Sequence, residues 1–261
     1  FAPISDYRRE HAPFVSEFGL QAPPAASALR RFLPVADLWP AGSSWAYHNA
    51  EMRKLWRYVR TLDGPGGVDS LDLESFTRRA QQAQALGVQT MVEYMRRRKG
   101  VTGGVVVWQL NEPWPSICWS LIGHDGQPKP AYHMLKRVFA PVLLSVDYPP
   151  SRFKPGDVVT LTLWIINDLL SAIPGGCQVR LLLDDEEMHR QEARVAANSR
   201  CQVGAVTLRL PEEQGQWRLR AELWHEGRLL CENEYDLSYY DAQQMPLLHR
   251  ALALFGRWLL R

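Results

Sequence analysis

Glu17 is the first residue of this chain whose type and position suggest catalysis. It lies near the end of the short segment Phe14-Val15-Ser16-Glu17-Phe18, which Gly19 terminates. Parallel strands of a (β/α)8 barrel present catalytic side chains from their C-terminal ends, where active sites are found. The alternative is a surface glutamate at a strand end, since glycines mark turns in every fold class.

A second segment has the same organisation and defines the elements that would position Glu17. The β-branched run Val105-Val106-Val107 precedes Trp108 and the polar residues that follow, and such a run predicts a strand buried on both faces. Apolar residues at helical spacing predict a helix over residues 70–99. Strand, long loop, helix and strand form a βαβ unit, which places both strand ends at one edge.

Several short motifs occur between residues 16 and 141. They are Ser16-Glu17-Phe18-Gly19, Gln21, Pro23-Pro24, Trp45, His48, Trp108-Gln109-Leu110-Asn111-Glu112-Pro113-Trp114-Pro115, Trp119-Ser120, Gly126-Gln127-Pro128-Lys129 and Phe139-Ala140-Pro141. Together, in this order, they resemble the C-terminal half of glycoside hydrolase family 2 enzymes, nearest to the β-mannosidase branch. The resemblance implies a hydrolase of β-linked sugars in which Glu17 closes barrel strand seven as the nucleophile of a retaining mechanism. It also implies that Trp108 to Asn111 belong to barrel strand eight.

A retaining glycosidase needs two carboxyl groups about 5 to 5.5 Å apart. Glu112 follows Asn111 and looks like an acid/base residue, but the family's acid/base precedes the nucleophile in the chain. We therefore expect Glu112 to bind sugar hydroxyls or to support its loop. The chain starts at Phe1 and holds two of eight strands, so we expect a C-terminal fragment that is inactive alone. The N-terminal part of the same enzyme would then complete the barrel.

Aromatic residues are the second group with a chemical role. The chain has 10 Trp, and Trp and Tyr combine apolar ring surface with a polar group. The resemblance implies that Trp108 lies under the sugar next to the nucleophile. Trp114 and Trp119 are loop candidates for the same substrate, or packing residues. His48 and Asn111 are candidate ligands of sugar hydroxyls, although a structural role for the loop histidine is an equal alternative.

The pattern changes after residue 141. Short period-two runs such as Val158 to Trp164, Gln178 to Leu183 and Trp217 to Trp224 predict an antiparallel, immunoglobulin-like sandwich. The predicted fold is therefore an α/β partial (β/α)8 barrel segment (1–141), an all-β sandwich (142–238) and an amphipathic C-terminal helix (239–261). Charged residues interrupt that helix, which argues against a membrane anchor, although its basic residues and Trp258 leave an interfacial helix as the alternative.

Composition narrows the classes of function that remain for this chain. The net charge of +2 gives no basic footprint for nucleic acid, and the run Arg96-Arg97-Arg98-Lys99 is interpreted as a solvated helix end. Four cysteines without close pairs or zinc spacing favour free thiols in a reducing, cytoplasmic compartment. No metal or cofactor is predicted.

Two kinds of alternative stay open at this point. The chain could be a non-catalytic carbohydrate-binding or structural domain derived from such an enzyme. The sugar could also be that of a β-galactosidase, β-glucuronidase or exo-β-glucosaminidase.

Overall fold

The computed structural model describes residues 4–62, 71–148, 153–213 and 217–237, which form a mainly helical part followed by two antiparallel sheets. The helical part contains a 3-10 helix (Ile4–Arg9), β1 (Phe14–Phe18), α1 (Ala26–Phe32), α2 (Val35–Leu38), α3 (Ser43–Tyr47), α4 (Met52–Thr61), α5 (Leu73–Arg97), β2 (Gly104–Val107) and α6 (Pro130–Val138). The sheets contain β3 (Val142–Asp147), β4 (Val158–Asn167), β5 (Ile173–Leu183), β6 (Glu186–Val195), β7 (Ser199–Arg209), β8 (Arg218–His225) and β9 (Arg228–Asp236).

The predicted βαβ unit is present. Strands β1 and β2 pair in parallel, with Val15 opposite Val105 and Phe18 opposite Val107, so β1 carries one extra residue between these two pairs. Helix α5 covers one face of the pair, where Val15 and Phe18 belong to the same buried cluster as Met91 and other residues of the helix. Because the strands are parallel, Glu17 and the residue after β2 lie at one edge.

Helix α5 begins at a side-chain cap and matches the predicted helix closely. The carboxylate of Asp72 accepts a hydrogen bond from the backbone N–H of Ser75 at 2.8 Å, which satisfies one of the free donors of the first turn. The segment predicted as a long loop before it contains the four short helices α1 to α4 instead. They pack around the fully buried Trp45, and helices of four to ten residues show too few turns for a recognisable apolar stripe.

The second part consists of two antiparallel sheets, ordered β3-β4-β7 and β6-β5-β8-β9. Their inward side chains form one continuous apolar core that includes Leu161, Val179 and Leu223. The predicted strand runs lie within or overlap β4, β5 and β8. Strand β6 was not predicted, because it is an edge strand of mostly charged and exposed residues.

The interpretation of Arg96-Arg97-Arg98-Lys99 as a solvated helix end is wrong, because these residues at the end of α5 contact other parts of the chain. Arg97 is buried and donates hydrogen bonds to Ser145 Oγ at 2.7 Å and Asp147 Oδ1 at 3.1 Å, both on β3. Arg96 donates to the carbonyl of Ala140 at 2.8 Å and pairs with Asp168 at 2.8 Å. These arginines therefore join the helix to the first sheet.

A buried polar network continues this junction. Glu93 of α5 accepts hydrogen bonds from Ser145 Oγ at 2.6 Å, Asn233 Nδ2 at 2.7 Å and the Tyr235 hydroxyl at 2.9 Å. Burial, together with the neighbouring carboxylate of Glu93, raises the pKa of Tyr235 well above its usual value. Helix α5 is thus tied to both sheets by hydrogen-bonded polar groups.

Several predictions concern residues or properties outside this description. The predicted helix 239–261 lies outside the described residues, and the boundaries 1–141 and 142–238 stay predictions. Across the described ranges, the helices are too short or too polar to cross a membrane. Within the same ranges, His, Cys, Asp and Glu side chains form no cluster that could hold a metal ion.

Candidate active site at the strand ends

The ends of β1 and β2 bring Glu17 and Trp108 to the same edge. The N–H of Trp108 donates to the carbonyl of Phe18 at 2.7 Å, which extends the parallel ladder by one residue beyond β2. Glu17 is exposed and occupies the irregular part of β1; such bulges redirect side chains and are common beside active sites. Within the described residues, its carboxylate accepts no hydrogen bond and joins no ion pair. Trp108 is 51% exposed.

Gly19 is required by the close approach of the two strand ends. A Cβ at this position would lie 2.0 Å from the carbonyl oxygen of Trp108 and 3.3 Å from Cδ1 of Trp119. Any side chain would therefore push apart the backbones that hold Glu17 and Trp108. The same contact places Trp119 at this edge.

Trp119 is half-buried and has a cation beside it. The Nζ of Lys54, in α4, lies 5.8 Å from the centre of its ring and 2.5 Å from Oε1 of Glu51. The arrangement places a Lys–Glu ion pair beside Trp119. The sequence did not predict Lys54 as part of the site, because its only local signal is the Glu51 three residues earlier.

Two buried amides hold the loops around this edge. Gln21 Nε2 donates to the carbonyls of Asn49 at 2.7 Å and Ile117 at 3.0 Å, while its Oε1 accepts the N–H of Glu51 at 2.8 Å. Gln84 of α5 donates to the carbonyls of Leu20, Trp119 and Ser120 at 2.9, 3.1 and 3.1 Å. Gln84 was missed, although a glutamine between Ala83 and Ala85 on an apolar helix face was a usable signal.

Glu112 is buried and forms an ion pair with Lys129. Its Oε1 is 2.9 Å from Nζ of Lys129 and accepts the Ser120 hydroxyl at 2.5 Å, and its Oε2 accepts the N–H of His124 at 3.0 Å. Lys129 also donates to the carbonyl of Ala22 and to Ser120, each at 2.9 Å. Both oxygens of Glu112 are therefore occupied, which favours the loop-supporting role over binding of sugar hydroxyls.

Burial lowers the pKa of Lys129, and the carboxylate of Glu112 opposes that effect. The two side chains are only 2% and 1% exposed. A buried ion pair is stable only when hydrogen bonds satisfy the remaining polar atoms of both side chains. Here these hydrogen bonds connect the loop after Gly19 to the loops before and after Trp119.

The remaining predicted residues lie on a neighbouring surface. His48, at the end of α3, bonds the carbonyl of Pro115 through Nδ1 at 2.7 Å and stacks on Trp114 with ring centres 5.4 Å apart. Tyr47 packs edge-on against both rings and is 78% exposed. Asn111 is exposed, and its side chain has no hydrogen bond among the described residues. The structure therefore groups Glu17, Trp108 and Trp119 at the edge, with Tyr47, His48 and Trp114 as a separate aromatic cluster.

Comparison with known proteins identifies relatives of this chain. No family model matches the chain. Beta-mannosidase B of Emericella nidulans is 27% identical over 84% of this chain and 27% of its own length. Beta-mannosidase B of Aspergillus niger is 29% identical over 71% of this chain and 23% of its own length. The chain thus spans about a quarter of these curated relatives.

Solved structures with the same fold are also glycosidases. The β-D-mannosidase of Dictyoglomus thermophilum superposes with a TM-score of 0.75 at 23% identity, over 92% of this chain and 30% of that one. The exo-chitosanase CsxA of Amycolatopsis orientalis gives a TM-score of 0.69 at 19% identity, over 92% of this chain and 30% of that one.

The curated sequence relatives and the two solved structures with a similar fold are all named as glycoside hydrolases. More specifically, the resemblance to β-mannosidases of glycoside hydrolase family 2, predicted from the motifs around Glu17 and Trp108, is confirmed.

Proposed function

We propose that this chain supplies the nucleophile and the sugar platform of a retaining glycoside hydrolase of the β-mannosidase type. The observation that carries the proposal is the position of Glu17. Its exposed carboxylate, which has no partner among the described residues, lies at the C-terminal edge of two parallel strands, where the exposed indole of Trp108 also lies. Mannose is the proposed sugar because the curated relatives are β-mannosidases.

In the proposed reaction, the Glu17 carboxylate attacks the anomeric carbon while a protonated carboxyl group donates its proton to the leaving oxygen. Water, activated by that second group, then hydrolyses the glycosyl ester on Glu17. Trp108 contributes apolar ring surface for the C–H face of the sugar, and Asn111 offers an amide to its hydroxyls. Glu112 takes no part, since Lys129, Ser120 and the His124 N–H occupy its oxygens.

The acid/base and the other strands would come from polypeptide outside these 261 residues. In the described part of the chain, β1 and β2 form a sheet of two strands, and Phe14 and Val106 remain 57% and 46% exposed. Exposed apolar residues on a short parallel pair with open edges call for further strands to cover them. The relatives, about four times as long as the matched part, are long enough to contain these strands.

Covalent trapping tests the role of Glu17. A protein that carries this chain together with its upstream barrel strands is treated with 2-deoxy-2-fluoro-mannosyl fluoride and examined by peptide mass spectrometry. We expect one label, on Glu17, and no label in Glu17→Gln. Glu74→Gln, which changes an exposed glutamate on α5, is the matched control and should label normally. A label on any other residue would refute the assignment.

The 261-residue chain alone provides a second test. We expect no hydrolysis of an aryl β-mannoside by the purified chain, because the described residues provide one available carboxylate at this edge. Turnover that disappears in Glu17→Gln would contradict this expectation and would return Glu112 as the acid/base candidate. Sugar binding without labelling of the longer protein would favour a non-catalytic carbohydrate-binding role.

A further inference from the structure

A groove on the second sheet shares no residue with the edge that carries Glu17. It has a volume of about 390 Å³ and lies on the outer face, where β5 begins and the turn from β8 to β9 closes. Its walls are Gly175 to Gln178 and Arg180 of β5, Arg190 and Glu192 of β6, and Trp224 to Gly227 of β8 and the following turn. The volume is within the range of small-ligand sites, about 300 to 1,000 Å³.

Trp224 gives this groove an aromatic wall. The side chain is half-buried, and its Nε1–H donates to Glu222 Oε2 at 2.8 Å. With the polar atom of the indole already bonded, the part left to line the groove is ring surface, and Arg180 Cζ lies over this ring at 5.7 Å from its centre. Such a surface suits the C–H face of a sugar ring better than a strongly polar ligand.

The polar groups of the groove offer both donors and acceptors. Gln178 Nε2 donates to Glu192 Oε1 at 3.1 Å, so each residue keeps further hydrogen-bonding capacity. His225 Nδ1 is 2.8 Å from the carbonyl of Gly176. Since a carbonyl can only accept, Nδ1 carries a proton, and Nε2 lies 3.9 Å from Oε2 of Glu226 at the rim of the groove. Sugar hydroxyls both donate and accept, and these groups match that need.

The two arginines of the groove are already paired with carboxylates. Glu187 accepts hydrogen bonds from Arg180 at 2.6 Å and from Arg190 at 2.7 and 2.8 Å. The bonds from Arg190 and Arg180 lower the pKa of Glu187 to about 2. Arg180 is also 3.6 Å from Glu222. A phosphate or carboxylate ligand would have to displace these glutamates, so the ligand should be neutral.

We propose that the outer face of the second sheet carries a binding site for a neutral oligosaccharide, with Trp224 as the stacking surface and Gln178, Glu192 and His225 as hydroxyl ligands. This site is independent of the strand-end site and does not require Glu17 to be catalytic. It would hold a polymeric substrate on the sandwich, whatever reaction occurs elsewhere.

Titration of the whole 261-residue chain with β-1,4-mannohexaose and cellohexaose, followed by the NMR signals of the indole N–H groups, tests the site. We expect the Trp224 signal to shift and Trp224→Ala to weaken binding by about tenfold, the effect of losing one aromatic contact. Trp164→Ala is the matched control, because Trp164 is a half-buried tryptophan on the other sheet with Arg200 5.7 Å from its ring. It should leave binding unchanged.

A second variant distinguishes a loss of binding from misfolding caused by the removal of Trp224. Gln178→Ala keeps the indole and should weaken binding while the circular dichroism spectrum stays native. Absence of a Trp224 shift with either sugar would overturn the proposal, as would a larger shift with oligogalacturonate or inorganic phosphate. Binding lost in Trp108→Ala but retained in Trp224→Ala would also overturn it, and would leave the proposed function at the strand ends intact.

Discussion

Removal of Lys129 should be the most damaging single change to the support of the strand-end site. In Lys129→Met, the ammonium group and its three hydrogen bonds of 2.9 Å disappear, and Glu112 keeps only Ser120 and the His124 N–H as donors. The carboxylate is 1% exposed, so water cannot replace the lost cation. Breaking one partner out of a buried pair costs about 3 to 5 kcal/mol, and we expect that loss in the free energy of unfolding.

A double variant measures the interaction between Glu112 and Lys129 separately from the contacts that each side chain makes with other residues. Glu112→Gln with Lys129→Met removes both charges, and we expect it to recover at least about 2 kcal/mol relative to the sum of the single changes, since coupled neighbours deviate from additivity by up to about 3 kcal/mol. Arg30→Met is the matched control. It removes a pair with Glu74 in which both side chains are nearly half-exposed, and such pairs contribute at most about 1 kcal/mol.

Urea unfolding followed by circular dichroism measures the wild type, both single variants, the double variant and the control. A cost below about 1 kcal/mol for Lys129→Met would show that the site is hydrated and would refute the reasoning from burial. Additive single and double changes would show that the two charges do not interact. Either result would reopen Glu112 as a residue available to substrate.

Three further outcomes are expected. Gly19→Ala should destabilise the chain by about 1 to 3 kcal/mol and shift the indole signals of the strand ends, whereas Gly103→Ala, whose Cβ would find its nearest contact at 3.6 Å, should be tolerated in the same urea assay. Tyr235→Phe should cost about 1 to 3 kcal/mol at pH 7. Because the pKa of Tyr235 is raised in the folded state, its contribution to stability is complete only below the unfolded value of about 10 and is lost progressively above it. The wild-type chain should therefore lose stability above that pH more steeply than this variant. Maleimide at pH 8 should label the exposed Cys201 first, and early labelling of Cys118 or Cys177, detected by mass spectrometry, would contradict their burial.

The strands and the long helix were predictable because their signals are local. A β-branched run, period-two alternation and an apolar stripe each report which faces of an element leave water. The four short helices before α5 and the charged edge strand β6 were not predicted, because their apolar contacts are made with distant residues such as Phe76 or are nearly absent. The arginine run at the end of α5 looked solvated for the same reason.

The sequence by itself identified the two strand ends, the carboxylate and indole that follow them, and the resemblance to β-mannosidases. Residue type and order were enough for these conclusions. Only the tertiary structure decided which carboxylate is available: Glu17 is exposed and has no partner in the part of the chain that the structure describes, whereas Glu112 pairs with Lys129 in the interior. Burial and pairing depend on segments that are distant in the chain, so two glutamates that both lie near strand ends acquire opposite environments.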